Sequence, residues 1–247
     1  MIDFLIRCIL FPIKFVLFLV AHIILLFPKK YFNTFAPYCL QIILWCIGFK
    51  IQNITDKRTN KVDTPIIVYQ HSTFADHYIL LSIFSVVRFV VFDKHCGNPI
   101  VKKFTDNFGC IRVTENIKTG ATKKIQEFID ECDYTNKIAI SPEGGRRLDI
   151  DEQLSRFSTG AFVPSAPVQP LLISFEYENE FEDPTWNSIY NYNDNEIISW
   201  YLWRLFAPPC NINITLLEES IVDPEETPID YSIRVRNNML SEIKNPR

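Results

Sequence analysis

Residues 67–81 read IVYQHSTFADHYILL. An apolar, β-branched run ends in Gln70 and His71, and Asp76 follows five positions after the histidine. PIIVYQ (65–70) has the composition of a short strand buried on both faces, and Asp76 falls on the first turn of a helix beyond the loop. A polar loop at the carboxyl end of a buried strand is where open α/β sheets hold ligands. A histidine there is either core packing or a base held by a carboxylate, and the rest of the chain has to choose.

Working outward, VRFVVFD (87–93), KIAI (137–140), VQPLLISFEY (168–177) and NINITLL (211–217) repeat the strand composition. Between them lie helical patterns. Asn98 caps one, Pro99 sits in its first turn and Gly109 stands just past its end, with Ile100, Val101, Phe104 and Phe108 on one face. Residues 118–132 place Ala121, Ile125, Phe128, Ile129 and Cys132 at helical spacing, and further patterns cover about 194–206 and 228–243. Strands alternating with helices specify an α/β fold, with a mostly parallel or mixed central sheet and helices on both faces. That α/β domain is expected over residues 61–247.

Composition narrows the function. At 247 residues, 47% hydrophobic, with 20 Phe, 10 Tyr and 7 Gly, the chain is a folded protein. A net charge of −4 and the lack of a basic block argue against nucleic acid as a partner. Seven scattered cysteines, never Cys-x-x-Cys, fit a reducing compartment and offer no zinc pattern, so no metal is expected. No Gly-x-Ser-x-Gly elbow occurs, which leaves a membrane-anchored hydrolase without its nucleophile.

The apolar residues concentrate at the start. Residues 9–27, ILFPIKFVLFLVAHIILLF, are interrupted only by Lys14 and His22, and Lys29-Lys30 close the segment. Residues 31–49 follow as a second apolar stretch after Pro28. Residues 1–50 are thus expected to form a pair of membrane-associated helices: a span plus an interfacial helix, or a re-entrant hairpin. A cleaved signal peptide is the rival reading, but the run is long for one and no small-residue cleavage site follows.

Two further loops join HSTFAD at strand ends: SPEGGRR (141–147) after 137–140, and APVQP (166–170) leading into 168–177. In this order, His71-Ser-Thr-Phe-Ala-Asp76, Glu143-Gly-Gly-Arg146 and Ala166-Pro-Val-Gln-Pro170 resemble the successive motifs of the glycerolipid (lysophospholipid) acyltransferase family, whose members include the 1-acylglycerol-3-phosphate acyltransferases. The resemblance runs from residue 66 to about 240. Around GAFVPSAPVQPLLI (160–173) and Thr185-Trp186 it is closest to the lysophosphatidylcholine acyltransferase branch. No calcium-binding extension of the kind some members carry is expected, the chain ending at Arg247.

The resemblance implies an acyl-CoA-dependent O-acyltransferase acting on membrane lysophospholipid, with acyl-CoA as donor substrate and no cofactor. It makes His71 the base that deprotonates the acceptor hydroxyl, and Asp76 the carboxylate that fixes the imidazole tautomer. Glu143 organises its loop, Gly144 lets backbone amides approach an anion, and Arg146 meets the acceptor phosphate. Lys94, after strand 87–93, is similar to a family lysine facing the same phosphate; a plain surface lysine is the alternative. The expected location is an intracellular membrane such as the endoplasmic reticulum, with the catalytic domain on the cytosolic face. One segment departs from the pattern. At the end of GCIRVTE (109–115) the family carries arginine and this chain carries Glu115, while Arg112 would face the other side of an extended strand. A non-catalytic lipid-binding protein of the same fold is the rival that this departure supports.

Overall fold

The computed structural model describes residues 2–27, 29–59, 64–73, 75–84, 87–114, 118–131, 137–143, 154–177 and 194–244. Helices α1 (Ile2–Leu25) and α2 (Lys29–Cys46) come first, then β1 (Phe49–Asp56) and β2 (Ile66–Tyr69). The chain continues through α3 (Asp76–Ile83), β3 (Val87–Phe92), α4 (Pro99–Asn107), β4 (Ile111–Val113) and α5 (Lys118–Glu131). It ends with β5 (Lys137–Ile140), β6 (Val168–Tyr177), α6 (Asp194–Phe206), β7 (Cys210–Leu216) and α7 (Pro228–Lys244). The seven strands form one sheet in the order β1-β7-β6-β2-β5-β3-β4. β2 pairs parallel with β5 and β6, and β3 pairs parallel with β5 and β4. Just past β7 the chain turns antiparallel to β6, Val168 and Ser220 exchanging both backbone bonds. The expected α/β class and mostly parallel sheet are found.

The chain packs as two compact units, residues 1–53, 73–85 and 174–213 in the first, and 54–72, 86–173 and 214–247 in the second. In the second unit, Ile66, Ile67 and Val68 of β2 are fully buried, as a central parallel strand requires. α5 contributes Ile125 and Phe128, and α7 contributes Tyr231, Val235 and Met239 at four-residue spacing, each of these three fully buried. The Tyr231 ring meets that of Phe162 edge-on, and its hydroxyl donates to the Ser220 carbonyl. Asn98 caps α4 as expected, its side chain accepting the Ile100 N–H at 2.9 Å, and Gly109 takes the left-handed conformation (φ +63°) past the helix end.

The expected apolar face of α4 is not all core: Ile100 and Val101 are exposed, while Thr105 and Asn107 are buried. Arg112 on β4 explains the inversion. Its guanidinium donates to the Lys102 carbonyl at 3.1 Å, to Thr105 Oγ1 at 3.2 Å and to Asp106, so α4 turns a polar side toward β4.

In the first unit the second apolar stretch is shorter than expected. α2 stops at Cys46, and Gly48 (φ +74°) turns the chain so that Phe49 already begins β1. A Cβ at position 48 would come within 3.2 Å of the Arg204 guanidinium. Arg204 is fully buried, donates to the Ile47 carbonyl at 3.0 Å and lies 4.6 Å from the Phe49 ring centre. Helix α1 starts before the apolar run, at Ile2, and Phe4–Leu25 is long and apolar enough to cross a membrane. It packs by one stripe: Phe4 and Phe11 against Phe206, Phe18 against Tyr201, with Ala21 and Leu25 buried. Its remaining surface, including Ile9, Ile13, Val16, Val20 and Ile23, is exposed and apolar.

Candidate active site

In the second unit the β2–β5 register sets Val68 opposite Ile140, so the two strands leave the sheet in step. Three residues farther on stand His71 and Glu143, one from each motif. The pairing that brings them together is a carboxylate–amide contact. The His71 backbone N–H donates to Glu143 Oε1 at 3.1 Å, and the Ser155 N–H donates to Oε2 at 2.9 Å. Glu143 is 8% exposed, and a carboxylate that buried needs such donors on both oxygens. His71 itself is half-buried. Around it, Gln70 Nε2 donates to the Ile173 carbonyl at 2.6 Å, and the Ser158 N–H donates to the Pro142 carbonyl at 2.7 Å. The loops after β2 and β5 are thus pinned by backbone groups.

Asp76 belongs to the first unit. It is 2% exposed, opens α3, and its N–H donates to the Thr73 carbonyl at 3.2 Å. Two residues on, Tyr78 meets α1. The Phe18 carbonyl can only accept, so His22 Nδ1 carries the proton (2.8 Å), and His22 Nε2 accepts from the Tyr78 hydroxyl at 2.7 Å. The Tyr201 hydroxyl bonds that of Tyr78. Burial holds both phenols above the ordinary tyrosine range, and for Tyr201 the Tyr78 and Asp76 charges add to it.

Lys94 lies in the 3₁₀ turn Asp93–Gly97 directly after β3. Gly144, Arg146 and Glu115 lie outside the described residues. Arg112, three residues before the departing Glu115, is committed to α4. Two participants carried no sequence signal: Ser155, which acts through its backbone, and Arg236, whose guanidinium holds the Leu154 and Ser155 carbonyls. Among the described residues no three His, Cys, Asp or Glu side chains are grouped to hold a metal. Burial pushes the Cys110 thiol up to about 11, so it is no nucleophile at neutral pH.

A family model described as Acyltransferase matches residues 50–174. Lysophosphatidylcholine acyltransferase 2B of Rattus norvegicus is 26% identical over 222 residues, covering 85% of this chain and 40% of that protein. The Homo sapiens lysophospholipid acyltransferase LPCAT4 is 23% identical over 213 residues, 83% of this chain and 39% of that one. The match therefore spans about two-fifths of the length of these relatives. Among solved structures, the 1-acyl-sn-glycerophosphate (LPA) acyltransferase PlsC from Thermotoga maritima has the same fold. Its TM-score is 0.54 at 15% identity, covering 96% of this chain and 98% of that one.

Proposed function

Because the chain belongs to the Acyltransferase family, we propose that it moves a fatty acyl group from acyl-CoA to the free hydroxyl of a lysophospholipid at a membrane surface. The observation that carries this reading is the position of half-buried His71 at the carboxyl end of a central parallel strand, its backbone fixed by Glu143. In the proposed reaction a neutral His71 nitrogen takes the proton of the acceptor hydroxyl as its oxygen attacks the thioester carbonyl. The carbon–sulfur bond breaks, the thiolate leaves, and the imidazolium gives its proton to that thiolate, releasing the thiol and neutral His71. Asp76 takes the role of the carboxylate that orients and steadies the imidazole. No acyl-enzyme is formed, because the lipid hydroxyl is the nucleophile. The names of the relatives support a lysophospholipid acceptor of the phosphatidate or phosphatidylcholine type. The apolar surface of α1 supports membrane attachment, and Lys29-Lys30 after it favour a cytosolic face, where acyl-CoA is available. An intracellular membrane, the endoplasmic reticulum or another, is the location proposed with this reading.

The test is thiol release from palmitoyl-CoA by the full chain in lipid vesicles, with and without lysophosphatidate or lysophosphatidylcholine. Release that depends on lysolipid is expected. Release independent of lysolipid would make the protein a thioesterase, and none at all would leave a lipid-binding role.

Arg146 is proposed to bind the acceptor phosphate, a contact present in both ground and transition states. Arg146→Ala should therefore raise the acceptor KM about 10-fold or more with a smaller fall in kcat, and leave the acyl-CoA KM in place. A collapse of acyl-CoA affinity instead would assign Arg146 to the donor.

A further inference from the structure

Glu143 is held from a distance. Ser155, whose N–H fills Glu143 Oε2, gives its carbonyl to Arg236 Nε at 2.8 Å, and the Leu154 carbonyl accepts from Arg236 Nη2 at 2.6 Å. The Ser158 N–H on the Pro142 carbonyl adds a second tie at the same neck. The chain thus leaves β5 at residues 142–143 and returns at 154–158 to the point it left. Arg236 clamps the returning arm from α7. That helix is a firm support, since the residue preceding Arg236, Val235, is fully buried along with Tyr231 and Met239, and Leu154 is fully buried too.

We infer that Arg236 is a positioning residue for His71, acting through residues 154–155 and the Glu143 carboxylate. This rests on the reading of His71 as the base. Two successive carbonyls suit the planar fork of a guanidinium, whereas an ammonium would hold one of them firmly. The cation also polarises the 154–155 peptide, strengthening the donation of the Ser155 N–H to Glu143. Loss of the clamp frees Glu143 Oε2 and slackens the Oε1 contact that sets the His71 backbone. Misplacing a reacting group by about 1 Å costs on the order of 10²-fold in rate. A staple serving stability alone would predict a lower melting temperature with kcat intact.

The full chain, assayed in vesicles with palmitoyl-CoA and lysolipid, distinguishes these. Arg236→Gln is expected to lower kcat about 10–100-fold, with both KM values within about threefold. Arg236→Lys should recover part of that loss, and it substitutes for the glutamine variant if the latter fails to fold. Glu143→Gln removes one of the two acceptors, so combining it with Arg236→Gln should cost no more than Glu143→Gln alone. Backbone amide exchange supplies a readout free of catalysis: the His71 and Ser155 amides should exchange faster in Arg236→Gln, and those of α5 should not. Unchanged kcat, fully multiplicative effects in the double variant, or unchanged exchange at His71 would each overturn the inference. If the wild type transfers no acyl group, the acyltransferase reading falls, and the exchange at His71 still decides for or against the clamp.

Discussion

Replacing His71 by alanine is expected to leave a folded, membrane-associated protein whose acyl transfer is reduced about 10²–10⁴-fold, the range that general-base catalysis contributes. The structure separates this chemical effect from a structural one. The backbone N–H that position 71 donates to Glu143 Oε1 is kept by alanine. His71 is half-buried and not among the buried core residues, and the fully buried Ile66–Val68 segment before it is untouched. Melting temperature should therefore stay close to wild type while kcat falls. Glu143→Gln should behave differently, because it removes an acceptor from the part-buried Ser155 amide and disturbs the loop as well as the rate. Steady-state rates on lysolipid vesicles, with thermal melts of both variants, check the contrast. Wild-type-like turnover in His71→Ala would end the proposed mechanism.

The contrast also shows which features the sequence could carry. β2 and β5 were readable because short β-branched runs end abruptly in polar motifs, and their boundaries match to within a residue. That the two motifs meet was not readable from composition, since it depends on the parallel register of Val68 with Ile140. β1 is hard to read because seven of its eight residues are exposed or half-exposed, and FKIQNITD alternates apolar and polar only over its first four residues. Periodicity alone puts Ile100 and Val101 on a core face, and the polar contacts of Arg112 override it. Arg236 was invisible for a simpler reason. Its partners are backbone carbonyls, which any residue at 154 and 155 would supply, more than 80 positions away in sequence. Side-chain motifs announce chemistry, but carbonyl-mediated support leaves no local pattern.

The N-terminal helices yield the other large effect. Deleting residues 1–49 would not test membrane attachment cleanly. Ile43, Cys46 and Ile47 of this segment are fully buried in the first unit, and the carbonyls of Ile47 and Gly48 accept from Arg204 and Cys210. Truncation would open that core, and aggregation would follow from lost packing rather than from lost anchoring. A surface charge on α1 is the sharper experiment. Ile9, Ile13 and Val16 lie at spacings of four and three on one helical face and are 68%, 50% and 57% exposed, so none supports the fold. Side chains exposed to this degree carry together roughly 3–5 kcal/mol of transfer free energy, from about 1.5–3 kcal/mol for each fully buried one. The triple variant Ile9→Asp, Ile13→Asp and Val16→Asp should therefore weaken binding to phosphatidylcholine–phosphatidylglycerol vesicles by about 10²-fold or more, since three carboxylates add a further cost at the interface. Its melting temperature should hold, because Phe4, Phe11, Phe18, Ala21 and Leu25 still pack the opposite stripe. Acyl transfer to bilayer-embedded lysolipid should fall with binding, whereas transfer to short-chain, water-soluble acceptors should persist. If the triple variant sediments with vesicles as the wild type does, the exposed face of α1 does not meet lipid. If it loses activity on both acceptor types equally, α1 serves the reaction and not the delivery of substrate from the bilayer.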